Sequence, residues 1–221
     1  MENYFIDTGC DKETLLEKIA VGDTITRERE LIEMGPCVNA KSLDNRVSVF
    51  ILLEAFRLLK DVDIPVHLQG VFTVQEEVGV RGAQVAAHHL NPDFTIALDT
   101  TIAFDTPGAQ PHEKVTQLGS GTAIKILDGM TICDYRMVDF MKQQAAQHQI
   151  PWQAEVLPAG GTDTAAMQRS GKNGSIAGAI SIPTRHIHQV IEMVHQADVK
   201  HSIDLLIHCI RSIDQYDWSH K

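Results

Sequence analysis

Glu76 and Glu77 are adjacent carboxylates at the end of the apolar run Val71-Phe72-Thr73-Val74. Neighbouring carboxylates repel, so such a pair is costly unless cations, hydrogen bonds or protonation offset the charge. Asp99 follows a second apolar run, Ile96-Ala97-Leu98, while His186 and His188 closely follow a third, Ala179-Ile180-Ser181-Ile182. Asp44 stands just before a helical pattern. A divalent metal would offset this charge, because hard carboxylate oxygens with imidazole nitrogen suit zinc, cobalt or manganese. A carboxylate able to bridge would hold two ions roughly 3.5–4 Å apart. The chemistry is hydrolysis: metals acidify a bound water and polarise a scissile carbonyl, and a carboxylate not used as a ligand takes the water's proton. One of the two glutamates is therefore a candidate base.

Each residue alone has a plainer account. Asp44 reads as a helix N-cap, the glutamate pair as a solvated loop, and His186 as a surface imidazole. The set is stronger than its members, since ionisable groups at three successive strand ends are more than a solvated surface normally supplies.

The elements that must position these residues follow from the hydrophobic pattern. Val47, Phe50, Ile51, Leu53, Leu58 and Leu59 share one face of a helix that runs from Leu43 to near Lys60. Buried strands are expected over 66–74 and 94–98, and further strands over 153–157 and 177–182. Helices are expected over 82–89, 138–148 and 197–213. Residues 1–40 read as short strands and turns, including 5–7, with a brief helix over 12–19. Strands alternating with helices imply an α/β fold, with a largely parallel or mixed sheet covered on both faces. Ligands of such sheets bind beyond the carboxyl ends of the strands.

The formal charge is −10, from 19 Lys+Arg against 29 Asp+Glu, without the basic stripe that a phosphate backbone requires, so nucleic acid is not an expected partner. No uncharged apolar run approaches the roughly 20 residues of a membrane span, and the opening residues lack the pattern of a leader, so a cytoplasmic protein is expected. Cys10, Cys37, Cys133 and Cys209 are scattered, and read as reduced, mostly buried residues. His195, His201 and His208 read as a solvated face, and Trp152 and Trp218 as packing residues.

Ser42-Leu43-Asp44-Asn45-Arg46, Thr73-Val74-Gln75-Glu76-Glu77-Val78-Gly79-Val80-Arg81-Gly82-Ala83, Ala97-Leu98-Asp99, Gly160-Gly161-Thr162-Asp163 and Ile182-Pro183-Thr184-Arg185-His186-Ile187-His188 closely resemble, in order, the motifs of the tetrahedral-aminopeptidase family. The resemblance runs from about Phe5 to the final helix. It implies a three-layer metallopeptidase fold, a peptide substrate, two divalent ions per subunit and a homo-oligomer. By the same resemblance Asp44 bridges the ions, Asp99 serves one, Glu77 and His188 serve the other, and Glu76 is the general base. Gly160, Gly161, Thr162 and Asp163 would border the substrate cleft. His186 stands where the family usually carries tyrosine.

The family carries another metal-binding His, with an Asp two residues later, in a segment before a small β-rich dimerisation domain, and neither is found here. The resemblance therefore implies that residues 1–40 are a remnant of that β-rich domain and 41–221 a catalytic domain lacking its first strands. It further implies that one ion could remain where the family has two, and that a partner could supply the missing segment. Two other functions stay open from sequence: a noncatalytic remnant or interaction protein, and a metal hydrolase acting on a sugar derivative or acylated amino acid.

Overall fold

A computed structural model describes residues 5–220; residues 1–4, on which most of the expectation about the opening residues falls, lie outside them. Asp11 starts α1 (Lys12–Lys18) by accepting the Thr14 amide at 2.8 Å, and the helix buries no residue. The strand expected over 5–7 does not form. β1 (Ile32–Met34) and β2 (Cys37–Ala40) make a hairpin turned at Gly35, whose φ of +60° favours a residue without a side chain.

The remaining elements are α2 (Leu43–Leu59), α3 (Arg81–Leu90), β3 (Phe94–Ile102), β4 (Thr122–Leu127), α4 (Tyr135–Gln147), β5 (Trp152–Val156), α5 (Asp163–Arg169), β6 (Ile176–Arg185), β7 (Glu192–His195) and α6 (Gln196–Ser212). The seven strands form one sheet, ordered β1-β2-β7-β6-β4-β5, with β3 also paired to β6. Ile180 and Ser181 of β6 face Leu98 and Asp99 of β3 on one edge and Ile124 and Ala123 of β4 on the other. Only β3–β6 and β4–β5 are parallel; the other four pairs are antiparallel, so the sheet is mixed. Among the described residues, no helix is long and apolar enough to cross a membrane.

Helices cover both faces. α2 buries Val47, Ile51, Ala55 and Leu59, spaced four apart, and joins α4 and α6 in the main core with Phe140, Ile180 and Leu205. α3 and α5 form a second, smaller cluster around Ala83, Ala87 and Met167. Trp218 packs on Phe94, Phe140 and Tyr216. All four cysteines are free, but only Cys133 and Cys209 are buried. The C-terminal histidines are less solvated than expected: His195 caps α6, and His208 stacks on His148 at 3.5 Å.

The stretch 66–74 corrects one expectation. Val62, Ile64, Val66 and Leu68 pack on the core in strand-like alternation with exposed residues, yet among the described residues no backbone–backbone hydrogen bond involves 63–73. The side-chain pattern is that of a strand only as far as Leu68, residues 69–72 being all exposed, and among the described residues a neighbour to hydrogen-bond with is missing.

β4 and β5 bury a charge cluster that interrupts their apolar runs. Lys125, 1% exposed, lies 2.6 Å from Glu155 and 3.3 Å from Asp128, and Thr101 donates to the same Glu155 oxygen at 2.8 Å. Removing one member leaves a buried charge uncompensated. Lys125→Met is expected to lower the unfolding free energy by about 3–5 kcal/mol, measured by urea denaturation; a loss under about 1 kcal/mol would mean that water reaches the cluster.

Candidate metal centre

The carboxyl end of β3 and the loops after residue 74 and after β6 converge on α2's first turn. Gln75 has a φ of +58°, and the loop it opens is closed by Arg81 donating to the Gln75 carbonyl and Gly82 to the Val74 carbonyl. A side chain on Gly82 would come within 2.4 Å of the Val74 oxygen, so this close approach requires glycine. The loop presents Glu76 and Glu77. His186 and His188 leave β6 at φ values of +58° and +63°, a conformation uncommon outside glycine and found where the surrounding structure enforces it.

Asp44 and Asn45 have non-helical backbone angles, and no Asp44 side-chain cap forms, so the plain N-cap account fails. Instead Asp44 Oδ2 lies 3.2 Å from His188 Nε2, which is 3.4 Å from Glu77 Oε2. One donor atom from each of the three lies within 4.8 Å of the others. Donors about 2.0–2.2 Å from a shared tetrahedral ion stand roughly 3.3–3.6 Å apart, so these separations and this oxygen and nitrogen set fit a divalent metal.

Glu76, Asp99, Gly160, Gly161 and Thr162 line the same cleft, of about 440 Å³. Asp99 is 8% exposed and lies outside the three-residue group. Its Oδ1 accepts from Asn45 Nδ2 at 2.9 Å and from the Thr100 amide at 2.8 Å. Asp163 does not line the cleft; it accepts from Thr73 at 2.5 Å and so fastens α5 to the residues before the glutamate loop. His186 stays outside the cluster.

Two positioning residues carry no chemical signal of their own in the sequence: Asn45 lies within the Ser42–Arg46 motif and Glu192 four residues after His188. Glu192, 2% exposed on β7, accepts the Asp44 amide and the His188 amide, each at 2.9 Å, so one carboxylate holds the backbones of two cluster members. Asn45 spans from the Leu98 carbonyl to Asp99. Glu192→Ala is expected to weaken divalent-metal binding by roughly 10–100-fold, read by titration calorimetry, while the fold persists by circular dichroism.

Burial is the main reason that the carboxyls here hold protons above their ordinary range. It pushes Glu76 up to about 7, with Glu77, Asp163 and Asp44 adding repulsion and His188 opposing it. Burial, then Asp44, raises Glu77; burial, then Asp44 and Glu76, raises Asp99 well above the usual carboxylate value. A carboxyl whose folded value is raised leaves the folded state holding more protons than the unfolded one, so stability falls as pH rises between the two values. The metal-free chain is expected to melt at progressively lower temperature from pH 4.5 to 7.5, and excess zinc should flatten this slope. A flat metal-free profile in differential scanning fluorimetry would contradict the crowding.

The M42 glutamyl aminopeptidase family profile matches residues 1–205. A putative aminopeptidase of Acetivibrio thermocellus is 36% identical over 211 residues, covering 95% of this chain and 62% of the relative. The aminopeptidase APDkam598 from the archaeon Desulfurococcus kamchatkensis superposes with a TM-score of 0.82 at 35% identity, over 91% of this chain and 56% of that one. The Pyrococcus horikoshii TET1 peptidase, described as assembling into a tetrahedron or a large octahedral shell, superposes with a TM-score of 0.76 at 28% identity, over 90% and 58%. The chain thus spans little more than half the length of the proteins it matches.

Proposed function

The chain belongs to the M42 glutamyl aminopeptidase family, and from that premise we propose that it forms the metal-holding part of a cytoplasmic aminopeptidase that removes N-terminal residues from peptides. The observation that carries this reading is the meeting of Asp44, Glu77 and His188 in a cleft that also holds Glu76. Asp44, Glu77 and His188 would hold one divalent ion, and Asp44 with Asp99 part of a second site. A bound zinc, cobalt or manganese ion supplies Lewis acidity toward the scissile carbonyl and acidifies water.

The chain's own groups do the rest. Glu76 is no member of the three-donor group, and its carboxyl, near neutral in affinity for protons, suits uptake of a proton from the attacking water and its return to the departing amine nitrogen. Gly160 and Gly161 bring backbone, not side chains, to the cleft wall, which lets an extended peptide lie close. Gly129 lies flush against that wall, with Gly160's oxygen 2.8 Å from where its side chain would begin. Thr162 donates to Asp128 at 3.4 Å, tying the wall to the buried Lys125 cluster. The shell-forming relative supports assembly of several copies.

Metal-free protein reloaded with zinc, cobalt or manganese should release N-terminal residues from short peptides. Glu76→Gln is expected to lower kcat by about 10²–10⁴-fold with metal content unchanged by mass spectrometry. Metal uptake without release from any peptide would favour the noncatalytic alternative, and cleavage restricted to acylated amino acids or sugar derivatives would favour the non-peptide hydrolase.

A further inference from the structure

Two hollows meet at the three-donor group. Asp44, Glu77 and His188 line the cleft and also line a second pocket, of about 390 Å³. The two differ in charge. Glu76 and Asp99 line the cleft alone, whereas Arg27 and Lys41 line the second pocket alone. Glu192 borders the second pocket too, but its carboxylate is taken up by the Asp44 and His188 amides.

Neutral groups hold both cations in place. Lys41 Nζ donates to Thr26 Oγ1 at 3.2 Å and to the Arg27 carbonyl at 3.0 Å, and Arg27 Nη2 donates to Gln189 Oε1 at 3.4 Å. Among the described residues neither stands in an ion pair, although the chain carries a formal charge of −10. Their plainest role would be to shield the clustered carboxylates, yet no ion pair joins them to Asp44, Glu77 or Glu192. An ammonium has three N–H groups and a guanidinium five, so each side chain keeps donors free beside the pocket.

A peptide has an ammonium at one end and a carboxylate at the other. The acid-lined cleft attracts the first and the second pocket attracts the second, with the three donors between them. We propose that the second pocket takes the part of the substrate beyond the scissile bond, and that Arg27 and Lys41 bind its terminal carboxylate through charge-assisted hydrogen bonds. Two extended residues span about 7 Å, so only a short peptide brings its carboxylate inside a pocket of this size. The substrate class is di- and tripeptides with a free carboxyl end. This assignment rests on the aminopeptidase reading for its substrate, whereas the anion site itself does not.

Zinc-loaded Glu76→Gln protein, in which turnover is suppressed, should bind trialanine about tenfold more tightly than trialanine amide in titration calorimetry. Arg27→Gln, a change at an exposed side chain, should lower this preference several-fold, and Arg27→Gln with Lys41→Gln should abolish it; Arg27→Lys should keep part of it. A preference that survives Arg27→Gln undiminished would mean that the carboxylate sits on the ion, and equal or undetectable binding of the two peptides would mean that the pocket takes no carboxylate; either result overturns the inference. Release of alanine by zinc-loaded protein that retains Glu76 reads the peptidase activity separately. Cleavage without any carboxylate preference refutes this inference alone, and an Arg27-dependent preference without cleavage refutes the aminopeptidase reading alone.

Discussion

Mutual repulsion among carboxylates gathered at one end of the sheet is the constraint around which the fold is arranged. Asp44, Glu76, Glu77 and Asp99 share one cleft, in which Asp99 is buried and Glu76 half-buried while Glu77 stays exposed at the mouth, so burial denies Asp99 and Glu76 the solvation that would make their charges tolerable. Protonation relieves part of this in the metal-free chain. A divalent cation relieves it far better, since it attracts every one of these groups at once and needs no group to be neutralised. His188 reinforces this by placing a nitrogen between Asp44 and Glu77, at a distance suited to sharing an ion with both.

The remainder of the structure supplies fixed geometry to groups that would otherwise spread apart. Glu192 shows how: its charge is satisfied by two backbone amides, so it adds a carboxylate near the cleft and at the same time anchors Asp44 and His188. Asn45 does the same for Asp99 with a neutral side chain. On the far wall, the Lys125 cluster fixes Asp128, and through it Thr162, from inside the sheet. Each support lies on a strand or at a helix start, which gives more precise positioning than a loop held by loops.

How much of this is legible in the sequence differs with the kind of interaction. The helix over α2 shows because its buried residues recur every four positions, and β6 shows because it is apolar almost throughout. β4 hides: Lys125 interrupts its apolar run, and only the fold reveals that Glu155 and Asp128 compensate the charge. α5 and β7 are too short for periodicity to speak. The cluster members Asp44, Glu77 and His188 can be named from strand ends and motif order, but Glu192 cannot, because its role is to meet two amides that sequence separation, 148 residues for Asp44, conceals. The positive φ values at Gln75, His186 and His188 are equally silent, since no glycine marks them.

The stretch 66–74 shows where pattern and structure part company. Alternation of side chains is a statement about two faces, one buried and one exposed, and the stretch satisfies it only as far as Leu68, since residues 69–72 are all exposed. A strand also needs backbone partners to either side, and those belong to the neighbour and not to the segment. The same distinction explains why β3 is a well-formed strand although β6 is its one partner among the described residues: β6 alone suffices to define it. The sheet keeps its core, because α2, α4 and α6 pack on the strands that are paired. Stability in this fold thus rests on β6, its paired neighbours and the helices that pack on them.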